Sequence, residues 1–402
     1  MKIAILSDLH LGYERFAEDA YKQAEEALMS AVELADAVLI PGDIFDTRNP
    51  DVEVLSQGFT LFRNASNGKK WSAKVIEYSG RKRIYTSIPI IAISGTHERK
   101  SKDADNAVDL LGLAGLLVNA SEAKVTIDNG GERVVVWAFG GVAEEKVKDT
   151  IKELAPKPEQ GAFNVFMFHQ SIYELLPFDD RFIRYDELPD GFDLYVNGHI
   201  HSNVEHKVHG KPFLIPGSTV LTQLKEGEQG SKGFYIFDTA ENAYTFMEIK
   251  SRRFKIMKID VDGKDGKEIL RHAESEIERM CGEGTSAPII RIMLIGKKTA
   301  GASSGINIQL HEMASRYKDR AIIEIDNGRL NGEEMKMHAE ALRQELLENS
   351  SVKDLGMALF VEKLKQKGYS LDISPTELFD MLSHDGKEKA VPKVFEALFE
   401  QQ

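Results

Sequence analysis

Five short apolar runs, each closing on a polar motif, constrain this chain more than any other feature. KIAILS (2–7) leads into Asp8-Leu9-His10, AVLI (37–40) into Gly42-Asp43, and PIIAIS (89–94) into Gly95-Thr96-His97-Glu98. NVFMF (164–168) leads into His169, and DLYVN (193–197) into Gly198-His199-Ile200-His201. Continuous Val, Ile and Phe runs, in contrast to strictly alternating ones, mark strands covered on both faces. The segment 17–35 has helix composition with no Gly or Pro, and RVVVWAF (133–139) adds a further strand. Strand and helix alternating in this way predict an α/β domain of packed layers. Sites in α/β sheets lie outside the carboxyl ends of the strands, so the five motifs are expected to meet at one edge.

Residues two apart in extended chain point the same way, so Asp8 and His10 are expected to reach one ion together. His199 and His201 share that alternation. Gly12, Gly42, Gly95 and Gly198 are expected to let the chain turn tightly beside the site. Carboxylate and imidazole without thiolate form a mixed N/O environment, better suited to manganese, iron or zinc than to calcium. Two such ions about 3.5–4 Å apart activate water and stabilise both oxygens of a phosphoryl displacement. Of the 11 histidines, five (His10, His97, His169, His199 and His201) fall in these motifs. One histidine at a strand end is usually structural; five there, with Asp8 and Asp43 in matching places, argue for metal chemistry.

Composition closes off other classes. The single cysteine, Cys281, excludes an intrachain disulfide and a Cys-rich metal site. No run approaches the roughly 18 apolar residues of a membrane span. Asp8 interrupts what would be the core of a signal peptide, so the first residues read as a strand and the expected home is the cytoplasm. With 51 basic and 64 acidic residues the net charge is −13, which argues against a general polyanion binder. Any nucleic-acid contact is therefore expected to be local. Segment 63–83 carries seven Lys or Arg and one Glu, and reads as an exposed basic insertion.

Composition shifts after Lys250. Strand, helix, strand, helix and strand over 252–326 predict a small second domain of βαβαβ order, in which His272 and His311 read as surface residues. The segment 333–402 reads as helical. Ser374-Pro375-Thr376-Glu377 carries a helix-start signal. Leu378, Phe379 and Leu382, then Val394, Phe395, Leu398 and Phe399, form two apolar faces. These either pack within the chain or dock a partner helix.

DLHLG, GDIFD, GTHE, a strand-end FHQ and GHIH resemble, in order and spacing, the calcineurin-like metallophosphoesterases. DLHLGY, PGS (216–218) and KGFYIFD (232–238) narrow the likeness to the SbcD-type nuclease subunits of DNA double-strand-break repair, which partner an SMC-like ABC ATPase. The resemblance implies a layered metallophosphoesterase domain (1–245, helices around β-sheets). It further implies a small α+β capping domain (252–326) and a C-terminal helical region (333–402) that binds the ATPase. It implies two divalent metals, with manganese expected. Asp8, His10 and His201 would hold one metal and His169 and His199 the second, with Asp43 bridging.

Under the same resemblance His97 would be the catalytic acid, or steady the scissile phosphate. The family usually has Asn where Thr96 stands, so Thr96 is expected to be a weaker ligand of the second metal. It often has His where Asp46 stands, and Asp46 is expected to face the phosphate with a like charge. The implied activity is exonucleolytic on double-stranded ends and endonucleolytic on single strands. Lys69, Lys70, Arg81, Lys82, Arg83, Arg99 and Lys100, with Lys102, would contact DNA phosphates. A nucleoid-associated homodimer is expected, with a weak pointer to the helix around residues 50–65 as its surface. Two other readings stay open: a phosphatase or phosphodiesterase for another substrate, and a weakly active scaffold for the ATPase.

Overall fold

The computed structural model describes residues 1–67, 74–78, 81–85, 87–99, 105–261, 266–282, 287–296 and 302–330. The first half contains β1 (Lys2–Ile5), α1 (Ala17–Leu34), β2 (Ala37–Ile40), α2 (Val52–Ser66), β3 (Lys74–Tyr78), β4 (Arg81–Tyr85) and β5 (Ile90–Ala92). Next come α3 (Ala107–Leu113), β6 (Val118–Asn119), β7 (Glu122–Asp128), β8 (Arg133–Phe139), α4 (Val147–Leu154), β9 (Phe163–Phe168) and β10 (Leu194–Asn197). They are followed by β11 (Val204–Val208), β12 (Lys211–Ile215), β13 (Gly233–Asp238) and β14 (Ala243–Glu248).

These strands form two mixed sheets. The first runs β14-β13-β1-β2-β5-β6, and the second β11-β12-β10-β9-β8-β7-β3-β4. Parallel pairs join β1, β2, β5 and β6, and likewise β8, β9, β10 and β12. The five apolar runs thus divide three and two between the sheets.

Side-chain alternation explains why the runs are apolar throughout. In β1, Ile3 and Ile5 enter one core while Ala4 enters another; in β2, Leu39 faces the first core and Val38 and Ile40 the second. The first core also takes Val165 and Met167 of β9 and Leu194 and Val196 of β10, so it is the layer between the two sheets. The second is filled by Ala24, Leu28 and Val32 of α1, Leu61 and Phe62 of α2, and Val108 and Leu111 of α3. Phe166 and Phe168, alternating with those inner residues of β9, join Phe192 and Phe213 in a third core. Helix, sheet, sheet and outer apolar layer stack in that order, and a strand with both faces covered has no polar side.

The basic insertion takes regular structure over much of its length. Residues 63–66 finish α2, and β3 and β4 form an antiparallel hairpin that extends the second sheet from β7. Ile76 opposite Ile127 is buried. Val75-Ile76 is a β-favouring pair, and it outweighs the surrounding charge.

Beyond β14 come β15 (Phe254–Asp260), α5 (Gly266–Gly282), β16 (Ile289–Gly296), α6 (Ala302–Arg316) and β17 (Ile322–Leu330), the order read from the sequence. His272 and His311 are exposed. The described residues divide into two compact units: one within Met1–Met257, Ala273–Ile292 and Glu312–Glu324, and a second within 258–272, 293–311 and 325–330. The division runs through these last elements. The helices expected over 333–402 lie outside the described residues. Among the described residues no helix is long and apolar enough to cross a membrane.

Truncating a fully buried side chain of the inter-sheet layer should be costly. Leu39→Ala, at 0% exposure, should lower unfolding free energy by about 2–5 kcal/mol in urea denaturation. Leu34→Ala, on the exposed end of α1, should cost well under half of that.

Candidate metal centre

The first parallel ladder does not stop where its strands do. Leu6 N donates to Leu39 O, Asp8 N to Gly42 O (3.1 Å), His10 N to Asp43 O (3.1 Å) and Leu11 N to Ile44 O (2.9 Å). The two loops 6–11 and 40–46 are thereby zipped together through irregular backbone. Asp8 (φ 52°), His10 (φ 46°), Asp43 (φ 50°) and His199 (φ 72°) all adopt the left-handed conformation. Such backbone costs an L-residue roughly 1–2 kcal/mol and persists only where its surroundings enforce it.

This corrects the alternation argument for Asp8 and His10. They do not share a side of an extended strand, since β1 ends at Ile5. Consecutive left-handed turns, pinned by the loop beside them, bring the two together. The glycine reading is corrected in part. Gly12 and Gly42 do have positive φ (87° and 92°). Gly95 does not; a Cβ there would stand 2.5 Å from Asp43 N and 2.6 Å from Asp43 Cγ. Its task is close approach, not turning.

Three candidate ligand groups result: one is His10, Asp46 and His97 at the mouth, and the other two each hold a buried carboxylate. Asp8, His10 and His201 offer atoms within 4.8 Å of one another, and so do Asp43, His169 and His199. In the first, His10 Nε2 and His201 Nε2 are 3.1 Å apart, and Asp8 Oδ1 lies 3.9 and 3.7 Å from them. Three donors at such spacing suit one ion held at about 2.0–2.2 Å from each. In the second, His169 Nε2 is 3.2 Å from Asp43 Oδ2. Thr96 Oγ1 is 3.3 Å from the same oxygen and 3.4 Å from His199 Nδ1. The groups are joined where His199 N donates to Asp8 Oδ1 (3.2 Å). Asp43 also accepts from His97 N at Oδ1 (2.9 Å).

The histidines are pre-set as ligands. His169 Nδ1 lies 2.6 Å from Pro41 O, and a carbonyl only accepts, so Nδ1 carries the proton. Once the ring is neutral, as a bound metal requires, its buried Nε2 presents a lone pair, 3.2 Å from Asp43 Oδ2 and without a hydrogen bond. His10 Nδ1 donates to Asp46 Oδ1 (3.0 Å), again leaving Nε2 toward the site. An orphaned imidazole nitrogen and two facing Nε2 atoms, among buried carboxylates, fit divalent metals.

The charges are unbalanced without such ions. Asp8 and Asp43 are 0% and 1% exposed, and their ion-pair partners among the described residues are histidines. Burial, with Asp43 adding to it, pushes Asp8 up to about 6, although His169 and His10 oppose this. Burial would raise Asp43 too, but the facing His169 outweighs it and holds the carboxyl well below the usual range. Burial would lower His169, but Asp43 and Asp8 raise it to about 9. Burial and the neighbouring His169 push His199 down to about 3, and burial with His10 lowers His201. His10 is raised because the Asp46 hydrogen bond and the Asp8 and Asp43 charges outweigh its burial.

His97 sits at the mouth, its side chain 42% exposed, with its ring edge-on to His10 at 5.0 Å. Its Nδ1 donates to Asp46 O (2.5 Å), which leaves Nε2 as the free ring nitrogen. Asp46 therefore holds two site histidines, one by its carboxylate and one by its carbonyl. This corrects the expectation that its charge faces the phosphate: the carboxylate is spent on His10. The sequence signal was present in GDIFD, but the imidazole it serves is 36 residues away. Glu98 is also internal. It is buried, accepts from Phe45 N (2.7 Å) and Gly95 N (3.0 Å), and burial plus the Asp43 charge push it up to about 8.

Of the candidate DNA contacts, Lys69, Lys70, Lys100 and Lys102 lie outside the described residues. Arg81, Lys82 and Arg83 stand on β4, opposite Tyr78, Glu77 and Ile76. Arg99, half-buried, donates from Nη2 to Val142 O (2.6 Å).

A sheet sandwich with paired Asp/His groups at the carboxyl ends of strands from both sheets defines the metallophosphoesterase class. The calcineurin-like phosphoesterase family profile matches residues 1–203, and the chain belongs to that family. It is 29% identical over 283 residues to the double-strand break repair protein MRE11 of Encephalitozoon cuniculi, covering 65% of this chain and 49% of that one. It is 26% identical over 316 residues to the DNA double-strand break repair protein Mre11 of Methanopyrus kandleri, covering 71% and 66%. For the Sulfolobus acidocaldarius Mre11 the identity is 24% over 315 residues, covering 74% and 75%. The chain thus spans 49% and 66% of the first two relatives' lengths.

Gly95→Ala tests the close approach. Its methyl group must displace Asp43, so divalent-metal affinity measured by titration calorimetry should fall at least about 10-fold.

Proposed function

We propose that this chain is a metal-dependent DNA nuclease of double-strand-break repair, cutting double-stranded ends exonucleolytically and single strands endonucleolytically. The observation that carries it is the pair of adjoining ligand groups, with the His169 Nε2 lone pair unclaimed. The names of the relatives support DNA as the substrate. We assign Asp8, His10 and His201 to one metal and His169 and His199 to the other, with Asp43 between and Thr96 completing the second. Two divalent ions, manganese by preference, would activate water and stabilise the attacking and leaving oxygens of the phosphodiester.

The chain's own residues do the rest. Buried Asp8 and Asp43 supply negative charge where water is excluded, and Pro41 and Asp46 hold His169 and His10 by their Nδ1 protons. Thr96, as a hydroxyl donating to Asp43, is a weaker ligand than an amide carbonyl. His97, clamped through Nδ1, has its other ring nitrogen Nε2 free, so that the doubly protonated ring would give the Nε2 proton to the leaving oxygen or steady the scissile phosphate. We further propose a homodimer, with α2 on its surface, and an SMC-like ABC ATPase partner bound by the apolar faces of 370–402. In this reading the capping domain is 252–326, the nuclease domain is 1–245, and the ATPase carries much of the DNA affinity that a net charge of −13 withholds.

With manganese, the protein should cut a labelled duplex end and a single-stranded oligonucleotide, and a chelator should abolish both activities. His97→Gln should lose about 10²–10⁴-fold in rate while still binding manganese. Hydrolysis of a generic phosphodiester without DNA cleavage would favour the phosphodiesterase reading, and metal binding without either activity the scaffold. Deleting 370–402 should abolish co-purification with the ATPase and leave cleavage of single strands intact; retained co-purification would refute the docking assignment.

A further inference from the structure

PGS and KGFYIFD, two segments that shaped the family likeness, hold no metal ligand. The structure brings them together directly behind one. Ser218 and Lys232 are 0% and 4% exposed, and Lys232 Nζ donates to Ser218 Oγ (2.9 Å) and to the main-chain carbonyl of His201 (3.1 Å). It also pairs with Glu228, 4% exposed, at 3.4 Å. Glu228 Oε1 accepts from Thr222 N (3.0 Å) and Thr222 Oγ1 (2.9 Å), and its Oε2 from Gln223 N (2.7 Å). The same Thr222 Oγ1 is hydrogen-bonded to His201 Nδ1.

The direction of that last bond follows from counting protons. A threonine hydroxyl has one hydrogen, and here it points at a carboxylate oxygen, which can only accept. Thr222 Oγ1 therefore has only lone pairs left for the imidazole, so His201 Nδ1 must be the donor. The neutral ring then has its lone pair on Nε2, the atom 3.1 Å from His10 Nε2. Buried carboxylate–hydroxyl–imidazole chains of this kind fix ligand tautomer and orientation. A lysine ammonium this buried is costly unless paired, and the glutamate that pairs it is also the one that sets the threonine.

We propose that Thr222, Glu228 and Lys232 are positioning residues of the metal centre: they grip His201 by ring and backbone at once and impose the tautomer that ligates. This deepens the metal assignment above and rests on it only for the ligand role of His201. None of the three touches the reacting phosphate.

The test uses the full-length protein. Manganese titration would compare wild type, Thr222→Val and Thr222→Ser. Nitrogen-resolved histidine spectra of the metal-free proteins, with His201 identified by its Gln substitution, would report the tautomer. Wild type should show His201 protonated on Nδ1. Thr222→Val should raise the Kd of one manganese site about 10–100-fold and mix the tautomers. Thr222→Ser, which keeps the hydroxyl, should restore affinity to within about threefold of wild type. A wild-type His201 protonated on Nε2 would overturn the proposal, whether or not the valine variant folds. So would valine and serine variants of equal affinity. Wild type binding no manganese would instead refute the metal assignment, and the His201 tautomer would still decide this one.

Discussion

The structure turns on two carboxylates, Asp8 and Asp43, placed out of reach of water with imidazoles as their ion-pair partners. Burying an ionised carboxylate is costly unless charge or hydrogen bonds compensate. Here His97 N, His199 N and Ser7 Oγ donate to them, and five histidines surround them. The arrangement is most favourable with cations present, and the surrounding backbone is organised to keep it so.

That organisation is built from strained turns at the ends of ordinary strands. Asp8, His10, Asp43 and His199 hold left-handed conformations. Each is locked by a bond across to a neighbouring loop: Asp8 N to Gly42 O, His10 N to Asp43 O, His199 N to Asp8 Oδ1. The stabilisation that offsets the strain lies elsewhere, in the inter-sheet layer and the helix layer, where β1, β2, β5, β9 and β10 bury residues on both faces. Close packing transmits that rigidity to the site: at Gly95 even one methyl group would collide with Asp43.

Behind the ligands stands a layer of residues whose own chemistry is ordinary. Asp46 holds His10 and His97, Pro41 holds His169, Glu98 ties Phe45 to Gly95, and Thr222 with Glu228 and Lys232 holds His201. In four of the histidines, His10, His97, His169 and His201, the partner oxygen settles which ring nitrogen carries the proton. Affinity and orientation are thereby determined before any ion arrives.

The amino-acid sequence by itself determined the layered α/β class, the strands that carry the five motifs, and the seven Asp and His residues that meet. Apolar runs ending in Asp or His are local signals, and local signals survive in one dimension. It also misled, in instructive places. Strand alternation was the wrong reason for pairing Asp8 with His10, because a left-handed turn leaves only a faint mark in residue type, a modest preference for Asp, Asn and His, when its residue is not glycine. Asp46 was read only as a like charge facing the phosphate, because the imidazole it serves is distant in the chain. The basic run 63–83 hid the β-favouring Val75-Ile76 pair that seats β3 against β7. Only the tertiary structure decided that three motifs come from one sheet and two from the other, and that PGS and Lys232 close behind His201. The physical reason is that hydrogen bonds and close contacts act over ångströms of space, whatever the number of residues between the partners.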